Sequence, residues 1–161
     1  MQAVTLIVVG KLNADYYAAA AADYAKRLSA YCRLRIVELP EEKIAGKENS
    51  SALIERALEK EGQAILAAVP KGSALTALCI EGEQATSESL AAYLEQRAKS
   101  GAPDTAFVIG SSHGLSESVK RAAAQKLSMS RMTFPHQLAR VMLLEQLYRA
   151  FSIIHGGKYH K

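Results

Sequence analysis

AVTLIVV, residues 3–9, runs without a charge and is rich in β-branched side chains. A strand with one wet face alternates apolar and polar residues. An unbroken apolar run instead marks a strand buried on both faces, the situation in parallel sheets covered by helices. The sequence on its C-terminal side supports that reading. In DYYAAAAADYAKRLSAY, residues 15–31, Tyr17, Ala20, Ala21, Tyr24, Leu28 and Tyr31 recur at helical spacing, a core-facing stripe. The alternation then repeats: a strand near 33–39 (RLRIVEL), a helix near 51–69, a strand near 74–81, and a helix from SESLAAYLEQRAKS to Gly101. A strand near 105–110 (TAFVIG), a short helix near 116–125, a brief KLSMSRM segment and a long helix over 136–154 complete the chain. The expected fold class is therefore α/β, a mostly parallel sheet with helices on both faces, in a single domain spanning 1–161. EEKIAGKENS, residues 41–50, is the most polar stretch and reads as a surface loop.

The 161 residues, 49% of them hydrophobic, suffice for one sizeable core without disulfide or metal staples. No basic residue precedes the short apolar opening, which reads as a first strand rather than a signal peptide or membrane span, so a cytoplasmic protein is expected. Cys32 and Cys79 are far apart with no CxxC spacing, suggesting reduced thiols and no metal site. The net charge of +4 is unevenly spread. Residues 111–161 hold eight Lys or Arg against two Glu, a local excess of +6, and all four histidines. A basic region of this kind suits a polyanionic partner, because neutralising phosphates releases counterions; a solvated basic face is the plain alternative.

In the helix over 136–154, the polar residues Gln137, Arg140, Glu145, Gln146 and Arg149 do not gather on one stripe, and apolar residues surround the axis. Such a helix needs cover on more than one side, and a second copy of the chain would supply it, so a homodimer through this helix is expected. Arg140 and Arg149 suit either ion pairing or RNA contact.

Ligands of open α/β sheets collect beyond the carboxyl ends of the strands. Three such ends carry chemistry here. CIEGE holds Gly82, ordinary turn chemistry on its own. VIGSSHGLSES, 108–118, places Gly110 and Gly114 around a turn, with Ser116 as a helix cap. SMSRMTFPHQ, 128–137, leads into the last helix with Pro135 just ahead of it. GSSHG also spells a nucleophile elbow centred on Ser112, with Glu145 and His155 or His160 as nominal partners in a serine hydrolase. No phosphate-loop or dinucleotide glycine pattern is present, so the residues alone define a small-molecule crevice.

FVIGSSHGL, LSMSRMTFPHQLARVMLLEQLYRAF and the terminal YHK together resemble the ribosomal RNA large subunit methyltransferase H family, the smallest knotted SPOUT-class methyltransferases, and the resemblance spans the chain. It implies a C-terminal trefoil knot, which periodicity could not reveal, since chains are almost always unknotted. It further implies transfer of a methyl group from S-adenosyl-L-methionine to N3 of a pseudouridine in 23S rRNA, on assembled ribosomes, by a homodimer. Carried over position by position, the cofactor contacts are Leu78, Gly110, Met129, Ser130, Arg131, Met132, Thr133 and Phe134. The family usually has a second glycine where this chain has Ser111, and an acidic or amide residue in place of His113.

The resemblance also gives the ending GGKYHK, residues 156–161, a purpose. Tyr159 and His160 are the expected catalytic residues, lying near the methyl donor of one subunit or its partner. An imidazole, ordinarily mostly neutral at pH 7, could take the imide proton, while Tyr159 would stack on or hydrogen-bond the base and Lys161 would meet a phosphate. A non-catalytic ribosome-binding protein of the same fold is the remaining alternative.

Overall fold

The computed structural model describes residues 1–44 and 50–161. Among these residues five strands and five helices alternate: β1 (Ala3–Val9), α1 (Asp15–Leu28), β2 (Arg33–Leu39), α2 (Ser51–Ala68), β3 (Ala74–Gln84), α3 (Ser87–Lys99), β4 (Thr105–Ile109), α4 (Glu117–Ala122), β5 (Gln125–Ser128) and α5 (His136–Ile154). The strands form one sheet, ordered β2-β1-β4-β3-β5, and every pairing is parallel. The α/β reading of the sequence thus holds, with helices on both faces.

The two faces are legible in β1. Val4, Leu6 and Val8 join α1, α3 and α5 in one core, with Phe107, Leu143, Leu144 and Leu147 at its centre. Ile7 and Val9, offset by one residue, face the opposite core with Ile65 of α2 and Val119 of α4. The unbroken apolar run is therefore two interleaved stripes, each serving a different layer. Full burial of each such side chain contributes about 1.5–3 kcal/mol. On the thinner face, α2 approaches α4 closely at Gly62, where a Cβ would run into the Ser116 side chain.

Several boundaries differ from the sequence reading, each for a local reason. The helix expected near 116–125 stops at Ala122, and Gln125 begins β5 instead, its side-chain amide donating to Thr76 Oγ1 at 2.9 Å. The KLSMSRM segment is thus partly a strand. β3 continues past residue 81 to Gln84 because it pairs with β5 in two registers. Ser116 caps α4 as expected, accepting from the Val119 N–H, and Gly101 has φ +78 just beyond α3. Of the expected 41–50 loop, 41–44 carry no regular structure and 45–49 lie outside the described residues.

The long last helix finds much of its cover within the chain. It lies on the sheet between α1 and α3, and none of its large apolar residues is exposed. Its most buried polar group, Arg140, is 4% exposed and reaches Glu38 Oε2 at 2.7 Å and the Gly10 carbonyl at 2.9 Å. Of the two roles open to Arg140, ion pairing within the core is the one the fold uses.

Gly62→Val would press a branched side chain onto Ser116 and Val119, parting α2 from α4. The expected cost is about 1–3 kcal/mol, read as a lower urea midpoint with an unchanged slope.

Candidate active site

Strand register decides which turns meet. Leu78 of β3 pairs with Ile109 of β4 on one side and with Leu127 of β5 on the other. Gly110, after Ile109, therefore leaves the sheet beside Leu78, and Met129, after Ser128 and its partner Gln84, leaves beyond the bulge at the same carboxyl edge. The eight carried-over positions lie on three adjacent strands or in the turns that leave them at that edge.

Each turn is built for close approach. Leu127 pairs with both Leu78 and Glu83, so Cys79–Gly82 bulges out of the ladder and leaves Ile80 80% exposed. Gly82 closes the bulge against the β5 backbone: a Cβ there would stand 2.5 Å from the Leu127 carbonyl carbon and 2.7 Å from the Ser128 nitrogen. The sequence reading treated Gly82 as ordinary turn chemistry. A glycine inside a strand pattern is also a signal of close backbone approach, and that signal was the one to use. Lys120 of α4 holds the bulge from outside, its Nζ 2.5 Å from Glu81 Oε1. The hydrogen bond to Lys120 holds the Glu81 carboxyl below its ordinary range.

In the second turn a Cβ on Gly110 would strike the Gly114 carbonyl, and Gly114 has φ +90 while its N–H donates to the Ser111 carbonyl at 2.9 Å. Only glycine fits both demands. In the third turn Ser128 Oγ donates to the Ser130 carbonyl at 2.9 Å and the Met132 N–H donates to Ser130 Oγ at 3.0 Å. Met132 is left 75% exposed, Arg131 and Thr133 are exposed, and Met129, Ser130 and Phe134 are half-buried. Two clefts flank this edge. One of about 620 Å³ follows the β3–β5 ladder past Glu83, Tyr93 and Leu127; another of about 420 Å³ lies at the ends of β1 and β2 beside Lys11, Glu41 and His136. Gly110 and Met129–Phe134 line neither.

Among the described residues, no histidine hydrogen-bonds to Ser112 as the base of a hydrolase elbow would. Ser112 Oγ donates to Glu41 Oε1 at 3.3 Å, while the ring nitrogens of His155 and His160 meet the Phe151 carbonyl and Glu88 respectively.

The terminal tail forms a second cluster. Gly156, with φ +68, reverses the chain, and the Gly157 N–H returns to the Ser152 carbonyl at 2.8 Å. Tyr159 then lies along α5, its hydroxyl donating to Glu145 Oε1 at 3.0 Å, its ring against Tyr148 and under the Arg149 guanidinium at 4.6 Å. Arg149 forks onto the same Glu145 oxygen at 2.6 and 3.0 Å. Burial, with hydrogen bonds to Tyr24 and Glu145, pushes the Tyr159 phenol well above its ordinary pKa, so it acts as a neutral donor and not as a base. His160 has Nε2 2.9 Å from Glu88 Oε1 and Nδ1 3.4 Å from Arg149 Nη1. A guanidinium can only donate, so Nδ1 accepts and the ring proton of the neutral tautomer sits on Nε2.

Tyr159 and His160 thus come together with each other, but their hydrogen bonds run to α3 and α5 and not to the three turns. Glu145, Arg149 and Glu88 were not singled out as tail partners in the sequence. The Glu145–Arg149 spacing of i,i+4 on an otherwise apolar helix is the signal that could have found two of them. No group of three or more His, Cys, Asp or Glu among the described residues could hold a metal ion, and none of the helices is long and apolar enough to cross a membrane.

A parallel sheet whose carboxyl edge carries glycine-pinched turns is a frame that takes a small molecule beyond its strand ends. Over residues 1–160 the chain matches the family model "Predicted SPOUT methyltransferase", and it belongs to that family. Members use S-adenosylmethionine, so the chain is an S-adenosylmethionine-dependent methyltransferase; the family also implies the knot.

Two outcomes are expected. Cys79, half-buried beside Leu78, should react with a disulfide reagent in the native protein, and S-adenosylmethionine should slow that reaction. Cys32, buried and with its thiol pushed up to about 11, should react only after denaturation. The Glu81–Lys120 pair should show in the pH dependence of unfolding. With the folded pKa of Glu81 lowered from 4.5, its contribution is complete above that value and is lost as pH falls through the folded value. Glu81→Gln should therefore lower the urea midpoint at pH 6 and leave it nearly unchanged at the acid end.

Proposed function

We propose that the chain methylates N3 of a pseudouridine in 23S rRNA of the large ribosomal subunit, on assembled ribosomes and in the cytoplasm, as a homodimer through α5. The chain-wide resemblance to the ribosomal RNA large subunit methyltransferase H family supports the substrate. The observation that carries the reading is the docked tail, in which Tyr159 and His160 are oriented by Glu145, Arg149 and Glu88. A disordered end would have no such partners. Leu138 and Met142, half-buried and packed into neither core, are the apolar part of α5 available to a second copy.

The three turns fit the cofactor. Gly82 and Gly110 leave backbone where a side chain would intrude, and Met132 offers an exposed apolar arm. Leu78, Gly110 and Met129–Phe134 would hold S-adenosyl-L-methionine, which supplies an electrophilic methyl carbon when bound. The remaining task for the protein is to present the imide nitrogen and to receive its proton. His160 does the second: Nδ1 is the free base in the tautomer set by Glu88 and Arg149, and its contact with Arg149 is long enough to be exchanged for a substrate N–H. Arg149, permanently cationic, stands beside the developing imide anion. Tyr159 donates a hydrogen bond or stacks on the base, and Lys161 with the basic C-terminal third meets phosphate.

Labelled methyl transfer to ribosomes from a strain lacking the modification tests the reading, with the acceptor mapped by mass spectrometry. Deleting residues 159–161 should abolish transfer while cofactor affinity, by calorimetry, stays within about threefold. Undiminished turnover in that deletion would remove the tail's role. Cofactor binding without transfer by the intact chain would favour a non-catalytic ribosome-binding protein.

A further inference from the structure

Glu61 has no part in the chemistry above, yet it is a carboxylate only 5% exposed, in the middle of α2. Burying a carboxylate is costly unless its oxygens are satisfied. Here each oxygen has a different partner. Oε1 accepts from Ser111 Oγ at 2.9 Å, and Oε2 accepts from the Glu42 backbone N–H at 2.9 Å. No cation pairs with it among the described residues. The neighbouring Gly62 lets α2 sit directly against Ser116, at the start of α4, and so brings Glu61 within reach of the turn that leads into α4. Ser111 is also the residue whose carbonyl closes that turn onto Gly114, and the next residue, Ser112, bonds to Glu41. Two successive serines of the turn are thus tied to the segment after β2, one of them through Glu61.

We infer that Glu61 is a positioning residue for cofactor binding: by holding Ser111 on one side and Glu42 on the other, it fixes the Gly110–Gly114 turn in the shape that receives S-adenosylmethionine. The inference rests on the reading that Gly110 touches the cofactor. It also accounts for a serine at the position where the resembling family usually has glycine, since the added hydroxyl points away into α2 and is used there.

The test is calorimetric titration of S-adenosylmethionine into the full chain and four variants, alongside steady-state methylation. Ser111→Ala removes one tie and should weaken binding about threefold to tenfold; Glu61→Ala removes both and should weaken it further. Glu61→Gln should stay within about threefold of the parent, because its amide can accept from the Glu42 N–H and donate to Ser111 Oγ. The double variant Glu61→Ala/Ser111→Ala should bind no more weakly than Glu61→Ala, the two groups acting as one. The loss should appear in KM for S-adenosylmethionine, with kcat at saturating cofactor within about twofold, a division that mere loss of folded protein would not produce. Parent affinity in folded Ser111→Ala and Glu61→Ala, or a fall in kcat at unchanged affinity, would overturn the inference. Should Glu61→Ala fail to fold, Ser111→Ala decides alone. An intact chain that binds the cofactor but leaves ribosomes unmethylated would sink the RNA substrate and not the role of Glu61; one that binds no cofactor would sink both.

Discussion

Leu127 is claimed by two residues of one neighbouring strand. Its pairing with Leu78 and again with Glu83 forces Cys79–Gly82 out of the sheet, and it is possible only because position 82 has no side chain. The rest of the site follows from that constraint. β3 can turn outward without losing β5 as a neighbour, so β5 stays paired to the end of β3 and delivers Met129–Phe134 to the same carboxyl edge. β4, buried along its whole length between β1 and β3, delivers Gly110 to the same edge. A fold that needs three strand ends in one place obtains them from register rather than from side-chain bonds between the turns.

The last helix reconciles two demands. Its leucines belong to the larger core, where α1, α3 and the sheet enclose them, while Glu145 and Arg149 remain on a flank the core does not need. That flank receives the tail. A carboxylate that accepts from Arg149 twice and from Tyr159 once joins burial in keeping the phenol protonated and holds the guanidinium over its ring. The imidazole at position 160 then inherits an orientation from groups that are themselves fixed.

Periodicity disclosed the fold well because its signals were local. The two interleaved stripes of AVTLIVV, the i,i+4 stripe of α1 and the cap at Ser116 each concern residues that are near in sequence. Short β5 was less clear, since Gln125–Ser128 owes its strand conformation to β3, some fifty residues away, and alanines 122–124 read as a continued helix. The site was legible only in part. Gly110 and 128–137 stood out by composition, but that their turns share an edge with Leu78 is a fact of strand order, which no motif encodes. Glu61 was invisible for the same reason: within EKEG it resembles any surface glutamate of an amphipathic helix, and only the arrival of Ser111 from another element buries it. The apolar circumference of α5 carried real information, namely cover on several sides, without saying that α1 and α3 supply much of it.

The reversal at Gly156 and Gly157 has a practical side. Because the chain doubles back there, Lys161 emerges next to Glu88 at the head of α3, and anything fused to it must leave past the imidazole of His160. Met1 opens onto the opposite edge of the sheet, at the amino end of β1, and is well exposed. Purification handles and immobilisation chemistry belong at that end, where they pull on neither the three turns nor the docked tail.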